Sequence, residues 1–115
     1  MISCTAIPVT ILKETTAISQ VMTVPSGKLV GVASTAGAMD SSDTYTVKLV
    51  DGYSIQIYSV GSLAESSTVV DFYDTSTETF PMSIPIIGPV TLTVTASAQQ
   101  DDAAVEYTVY LYIEH

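Results

Sequence analysis

The chain has 115 residues, 47% of them apolar and only 13% charged, and three lysines against twelve carboxylates give a net charge of −9. With no arginine and so few lysines it has almost nothing to offer a phosphate backbone, so nucleic acid is excluded as a partner and an anionic membrane surface is disfavoured. No stretch approaches the ~20 apolar residues a spanning helix needs, and Cys4, the single cysteine, rules out an intrachain disulfide.

The first element is an N-terminal strand carrying Ile7, Val9 and Ile11, which Pro8 confines to a sheet edge because proline lacks the N–H that a central ladder requires. The start, Met1 to Pro8, shows no basic residue and no sustained apolar run, so no Sec signal is expected and the chain is expected to be made and kept without Sec export. Residues 17–24 and 28–34 read as two strands around Pro25-Ser26-Gly27, a strong turn signal. Residues 38–43 form a polar loop. Tyr45, Val47 and Leu49 then alternate with Thr44, Thr46 and Lys48, and after Asp51-Gly52 the alternation resumes with Tyr53, Ile55 and Ile57. A three-residue loop over 50–52 would oppose Leu49 to Tyr53, Val47 to Ile55 and Tyr45 to Ile57, apolar to apolar, with Gly52 in the left-handed position of a bulge.

A polar loop is expected over 61–67, a strand over 68–73 and another loop over 74–78. Phe80, Met82, Ile84 and Ile86 alternate with Pro81, Ser83 and Pro85, which predicts an extended edge strand or strap. The two clearest strands close the chain. Val90, Leu92, Val94 and Ala96 share one face of the first, with Thr91, Thr93, Thr95 and Ser97 on the other; Val105, Tyr107, Val109, Leu111 and Ile113 share one face of the last, with Glu106, Thr108, Tyr110 and Tyr112 opposite. No segment has a capped, helix-period stripe. The expected fold is therefore all-β, a single domain over residues 1–115, built as an antiparallel β-sandwich of about eight strands with no long helix.

Chemistry has little to work with. The only histidine, His115, is the last residue, and Glu114-His115 also reads as the beginning of a purification tag. No serine sits in a Gly-x-Ser-x-Gly elbow, and no Cys/His metal spacing, glycine-rich phosphate loop or dinucleotide fingerprint occurs. Asp40 with Asp43, Asp71 with Asp74, and Asp101 with Asp102 have the oxygen chemistry that Ca²⁺ takes, but the DxDxDG pattern is missing and the simpler reading is loop acids that keep an apolar domain soluble. No enzyme, no cofactor and no metal is expected. The tyrosines are more informative: Tyr110 and Tyr112, with Thr108, fall on the nominally wet face of the last strand, and Tyr58 opposes Ile55 and Ile57. Amphipathic rings on such a face suit either a protein interface or a Tyr/Thr-covered solvated sheet. Thr108, Tyr110, Tyr112 and Tyr58, with Phe80, Met82 and Ile84 of the edge segment, are the candidate contact residues.

The Ser/Thr/Val-rich style of the chain, and above all Pro85-Ile86-Ile87-Gly88-Pro89-Val90-Thr91-Leu92-Thr93-Val94-Thr95-Ala96 and Val105-Glu106-Tyr107-Thr108-Val109-Tyr110-Leu111-Tyr112-Ile113, resembles the small jelly-roll decoration (cement) proteins of tailed bacteriophage capsids. The likeness covers roughly residues 80–113 and carries no diagnostic motif. It implies an antiparallel jelly roll, a homotrimer, and a non-catalytic virion structural protein that is made in the host cytoplasm and seated on the outer capsid, where it binds the major capsid protein or another virion protein. The alternative is a carbohydrate- or receptor-binding β-sandwich of the tail-fibre or lectin-like kind.

Overall fold

Side-chain alternation decides where this chain pairs, because a strand with one apolar face is stable only when that face meets another sheet. The structure, a computed structural model, describes residues 1–24, 26–40, 43–65, 83–101 and 103–115, and the backbone of 69–71. Nine strands occur among the described residues: β1 (Ile2–Ile11), β2 (Ala17–Met22), β3 (Lys28–Ala36), β4 (Thr44–Val50), β5 (Gln56–Ala64), β6 (Val69–Asp71), β7 (Ile84–Pro85), β8 (Val90–Ala96) and β9 (Val105–Glu114). No helix occurs among the described residues.

One sheet runs β1-β9-β3-β6, with β7 also on β3, and the other runs β2-β8-β4-β5; every pairing is antiparallel. Taking β6 and β7 as two pieces along one edge of β3, the chain is one long two-stranded ribbon. Its pairs are β1 with β9, β2 with β8, β3 with β6 and β7, and β4 with β5. Rolling that ribbon up adds the pairs β3 with β9 and β4 with β8. This is the strand order of an eight-stranded jelly roll, a double-sheet way of limiting open edges. The all-β sandwich expected from composition is the fold observed.

The core lies between the sheets. Val90, Leu92, Val94 and Ala96 of β8 face Val105, Tyr107, Val109, Leu111 and Ile113 of β9 across it, all buried. Side chains of this size contribute about 1.5–3 kcal/mol each when fully buried. Pro8 sits where its chemistry requires. The His115 N–H donates to the Met1 carbonyl at 2.9 Å, so the odd-numbered residues of β1 carry its hydrogen bonds to β9. The missing N–H of Pro8 therefore falls on the open side of an edge strand. Ile84–Pro85 likewise lies at an edge, against Lys28 and Leu29. Phe80 and Met82, the loop expected over 74–78 and most of the strand expected over 68–73 lie outside the described residues.

The β4–β5 hairpin differs from the sequence expectation. Leu49 opposes Tyr58, Val47 opposes Val60 and Tyr45 opposes Leu63, so β5 starts three residues later than expected and occupies part of the segment read as a loop over 61–67. Asp51 is the cause. Its Oδ1 accepts the N–H groups of Tyr53 at 2.9 Å and Ile55 at 3.0 Å, and its own N–H donates to the Ile55 carbonyl at 2.9 Å. That side-chain-closed turn spans 51–55 and takes Tyr53 and Ile55 out of the ladder. The left-handed residue is Ser54 (φ 63°), not Gly52. Gly52 is required for a close approach instead: its N–H donates to the Ile87 carbonyl at 2.8 Å, and a Cβ there would stand 2.9 Å from that oxygen.

Candidate interaction face

β9 is central in its sheet, so its even-numbered residues form the middle of the outer surface. Register fixes their neighbours. Thr108 lies between Pro8 and Thr35, Tyr110 between Ala6 and Ala33, and Tyr112 between Cys4 and Gly31. Small residues flank the two tyrosines on both sides, so the rings stand as a half-buried ridge over low ground. Loss of hydration raises the Tyr112 phenol above its ordinary pKa, with Cys4 and Tyr110 beside it adding to the effect. The other outer face is different in kind. Thr91, Thr93 and Thr95 of β8 run beside Val50, Lys48 and Thr46 of β4 and Val21, Ser19 and Ala17 of β2, and the Ser19 and Thr93 hydroxyls bond at 2.9 Å.

Of the residues expected at a contact surface, Thr108, Tyr110 and Tyr112 are brought together on this ridge. Tyr58 is not with them. It is 4% exposed and packs inside the sandwich opposite Leu49, because the shifted β5 register turns it inward. Ile84 is half-buried, packs against the core at the β3 edge, and contributes little to an outer surface.

The two ends of the sandwich carry what sequence reasoning missed. At one end, Gln100 is fully buried and satisfied on every side. Its Nε2 donates to Asp43 Oδ2 and to the Ala98 carbonyl, both at 2.9 Å, its Oε1 accepts the Asp40 N–H at 2.7 Å, and its carbonyl accepts the Glu14 N–H at 2.8 Å. Asp40 Oδ2 in turn accepts the Asp101 N–H at 2.6 Å, and Glu65 Oε2 accepts the Met39 N–H. These acids hold loops together by accepting backbone N–H groups, and no metal-holding cluster occurs among the described residues. At the opposite end, Tyr53, Ile55 and Ile87 are 71%, 60% and 46% exposed. The Gly52–Ile87 hydrogen bond joins the two loops that carry them. In the sequence this apolar tip is marked only by Asp51-Gly52, a turn signal that carries no hint of the aspartate's side-chain bonds.

His115 is docked. Its Nδ1 lies 2.9 Å from the Ser26 carbonyl and its Nε2 2.7 Å from Ser3 Oγ. A carbonyl only accepts, so Nδ1 carries a proton, and in the neutral ring Nε2 accepts from the Ser3 hydroxyl. A serine held to an oriented imidazole has the start of nucleophile geometry. The pair stands at the exposed end of β9, whereas a cleft of about 410 Å³ among the described residues lies elsewhere. That cleft opens between the edges of β1 and β2 and is lined by Pro8, Thr10, Ile18, Gln20, Glu106 and Thr108 among others. Three hydroxyls lie in the core close to one another. Tyr45 OH and Ser34 Oγ bond at 3.0 Å, while Tyr107 OH, with its ring 5.0 Å from that of Tyr45, has no partner. Burial, then Tyr45 and Asp43, push the Tyr107 phenol up to about 12.

No protein-family model matches the chain, and no curated protein matches it in sequence.

Proposed function

We propose that this chain is a non-catalytic virion structural protein of the capsid-decoration type, which binds the outer surface of a bacteriophage capsid and stabilises it. The observation that carries the reading is the outer ridge of Thr108, Tyr110 and Tyr112 between rows of small residues. Rings with an apolar body and a polar tip gain from being covered, and neighbours without bulk let a partner approach closely. The jelly-roll strand order fits the resemblance in the C-terminal third, and an acidic body would not adhere to packaged DNA. On this reading the partner is the major capsid protein or another virion protein, the site of action is the capsid surface, and the domain performs no chemistry.

The deciding experiment is co-sedimentation with intact particles from which the endogenous protein has been stripped. Wild-type protein should rebind, and a Tyr110→Lys, Tyr112→Lys double variant should not, whereas Thr93→Lys on the other outer face should bind as wild type does. Equal binding by all three would remove this face from the argument; failure of the wild type would remove the function. In parallel, Ser3→Ala should leave any background hydrolysis of p-nitrophenyl acetate unchanged. A Ser3-dependent rate would make the Ser3–His115 pair catalytic.

A second reading, a carbohydrate- or receptor-binding module, is favoured by the cleft between β1 and β2, where Gln20, Glu106, Thr10 and Thr108 offer hydrogen bonds to a polar ligand. Glycan-array binding that is lost in Gln20→Ala would support it.

A further inference from the structure

β1 is an edge strand of ten residues, and its outward side is unusually open. The edges at β5, β6 and β7 are interrupted, and β2, the remaining edge, is regular but only six residues long. β7 is two residues long and contains Pro85, β6 is three residues long, and β5 breaks register against β4 and places Ser62 in the left-handed region (φ 58°). Short length, proline and bulges are the devices by which sheet edges avoid pairing with other chains. β1 has one of them, Pro8, and from Ile2 to Ala6 it has none. No charged side chain occurs before Lys13 in a chain of net charge −9.

Since the odd-numbered residues of β1 bond to β9, Ile2, Cys4 and Ala6 turn their N–H and C=O groups to the open side. Pro8 ends that run. A three-position ladder of this kind is self-complementary about Cys4. Set antiparallel to a second copy, Ile2 opposes Ala6 of the second copy, Cys4 opposes Cys4, and Ser3 opposes Thr5. Apolar meets apolar on the outer face, and hydroxyl meets hydroxyl on the inner one. Met1 and Ile2, 91% and 58% exposed, gain cover from Ile7 and Ala6 of the second copy.

We propose that two copies of this chain associate through β1, about a two-fold axis at Cys4, to form one continuous sheet across the dimer. An isologous contact needs only one patch that matches itself, and this edge is uncharged, whereas two −9 bodies repel wherever their loop acids meet. The outer surface then carries two ridges of Tyr110 and Tyr112, one from each copy, with the paired β1 strands as low ground between them. The inference does not depend on the capsid reading, and it replaces the three-fold association that the resemblance implies with a two-fold one.

Light scattering coupled to gel filtration at tens of micromolar tests it. The wild type should elute as a dimer, at twice the 12.1 kDa chain mass. Ala6→Pro removes an N–H that faces solvent in the single copy, and Cys4→Lys sets two like charges across the axis; both should be monomers with the wild-type circular dichroism spectrum. Directly opposed, hydrogen-bonded residues have Cα atoms about 5.5 Å apart, inside the disulfide range. Diamide should therefore crosslink the wild type at Cys4 in high yield, but not a Cys4→Ser, Ser19→Cys variant that carries its thiol on β2. A monomeric wild type, or any oligomer that both Ala6→Pro and Cys4→Lys leave intact, overturns the proposal. A particle-binding assay on the wild type separates this result from the capsid reading: a monomer that rebinds particles overturns only the dimer, and a dimer that does not rebind overturns only the capsid reading.

Discussion

The two ends of the sandwich are built from the same kinds of connection and solve the problem of exposed backbone in opposite ways. At one end, Gln100 bonds the loops that carry Glu14 and Asp40 with Asp43, Glu65 ties a fourth loop to Met39, and these carboxylates accept from neighbouring N–H groups or from the Gln100 amide. At the other, a single carboxylate, Asp51, closes its own turn and leaves Tyr53 and Ile55 in solvent beside Ile87. The first end is a network held by one buried amide, and the second is a self-contained turn with an apolar tip. The difference teaches that the same kind of side chain ties separate loops together at one end and closes only its own turn at the other.

The comparison can be broken most decisively at Gln100. Replacing it with alanine strands the Asp40 N–H and removes the donors to Asp43 and Ala98, so urea denaturation should show a loss of about 3 kcal/mol; a loss close to that of an ordinary surface substitution would mean that the four loops do not depend on one another. Asp51→Ala removes the acceptor of two N–H groups in one turn and should cost about 1–2 kcal/mol, measured the same way. A smaller change is expected beneath the acidic end, at Tyr107, whose hydroxyl is buried without a partner. Tyr107→Phe should raise stability by about 1 kcal/mol. Its phenol has a folded pKa of about 12 against an ordinary 10.0. The unfolded chain therefore loses this proton first, and the stabilisation present below pH 10 is lost as pH rises toward 12. Denaturation followed across that window should show a shallower fall in Tyr107→Phe than in the wild type. The smallest effect belongs to the apolar tip: Tyr53→Ser with Ile55→Ser should change stability by less than about 0.5 kcal/mol, because neither side chain is packed.

The contrast also marks how far the sequence could be read. β8 and β9 were legible because their alternation is unbroken, and the Tyr110 and Tyr112 face followed from parity alone. Pro8 announced its edge through a missing N–H. β5 was illegible for two local reasons. Asp51 captures backbone donors with its side chain, which no apolar pattern records, and the register break before Leu63 lets both Tyr58 and Leu63 turn inward although five residues separate them. The small residues that border the tyrosine ridge lie on β1 and β3, so their role depends on pairings between distant segments. Gln100 gave no signal at all. A glutamine in a polar loop reads as solvated until the loops that close over it are known.

The ribbon order has a kinetic consequence. β4 and β5 are adjacent in sequence, whereas each pair further along the ribbon joins more distant segments, until Ile2 meets Glu114. Loop-closure entropy is least for the hairpin and greatest for the chain ends, so the expected folding order runs from the middle outward, at the millisecond-to-second rates expected of non-local β pairing, which stopped-flow refolding would check. Until that last pairing forms, β1 is an unattached apolar segment, and the molecule is most prone to aggregate just before it is complete.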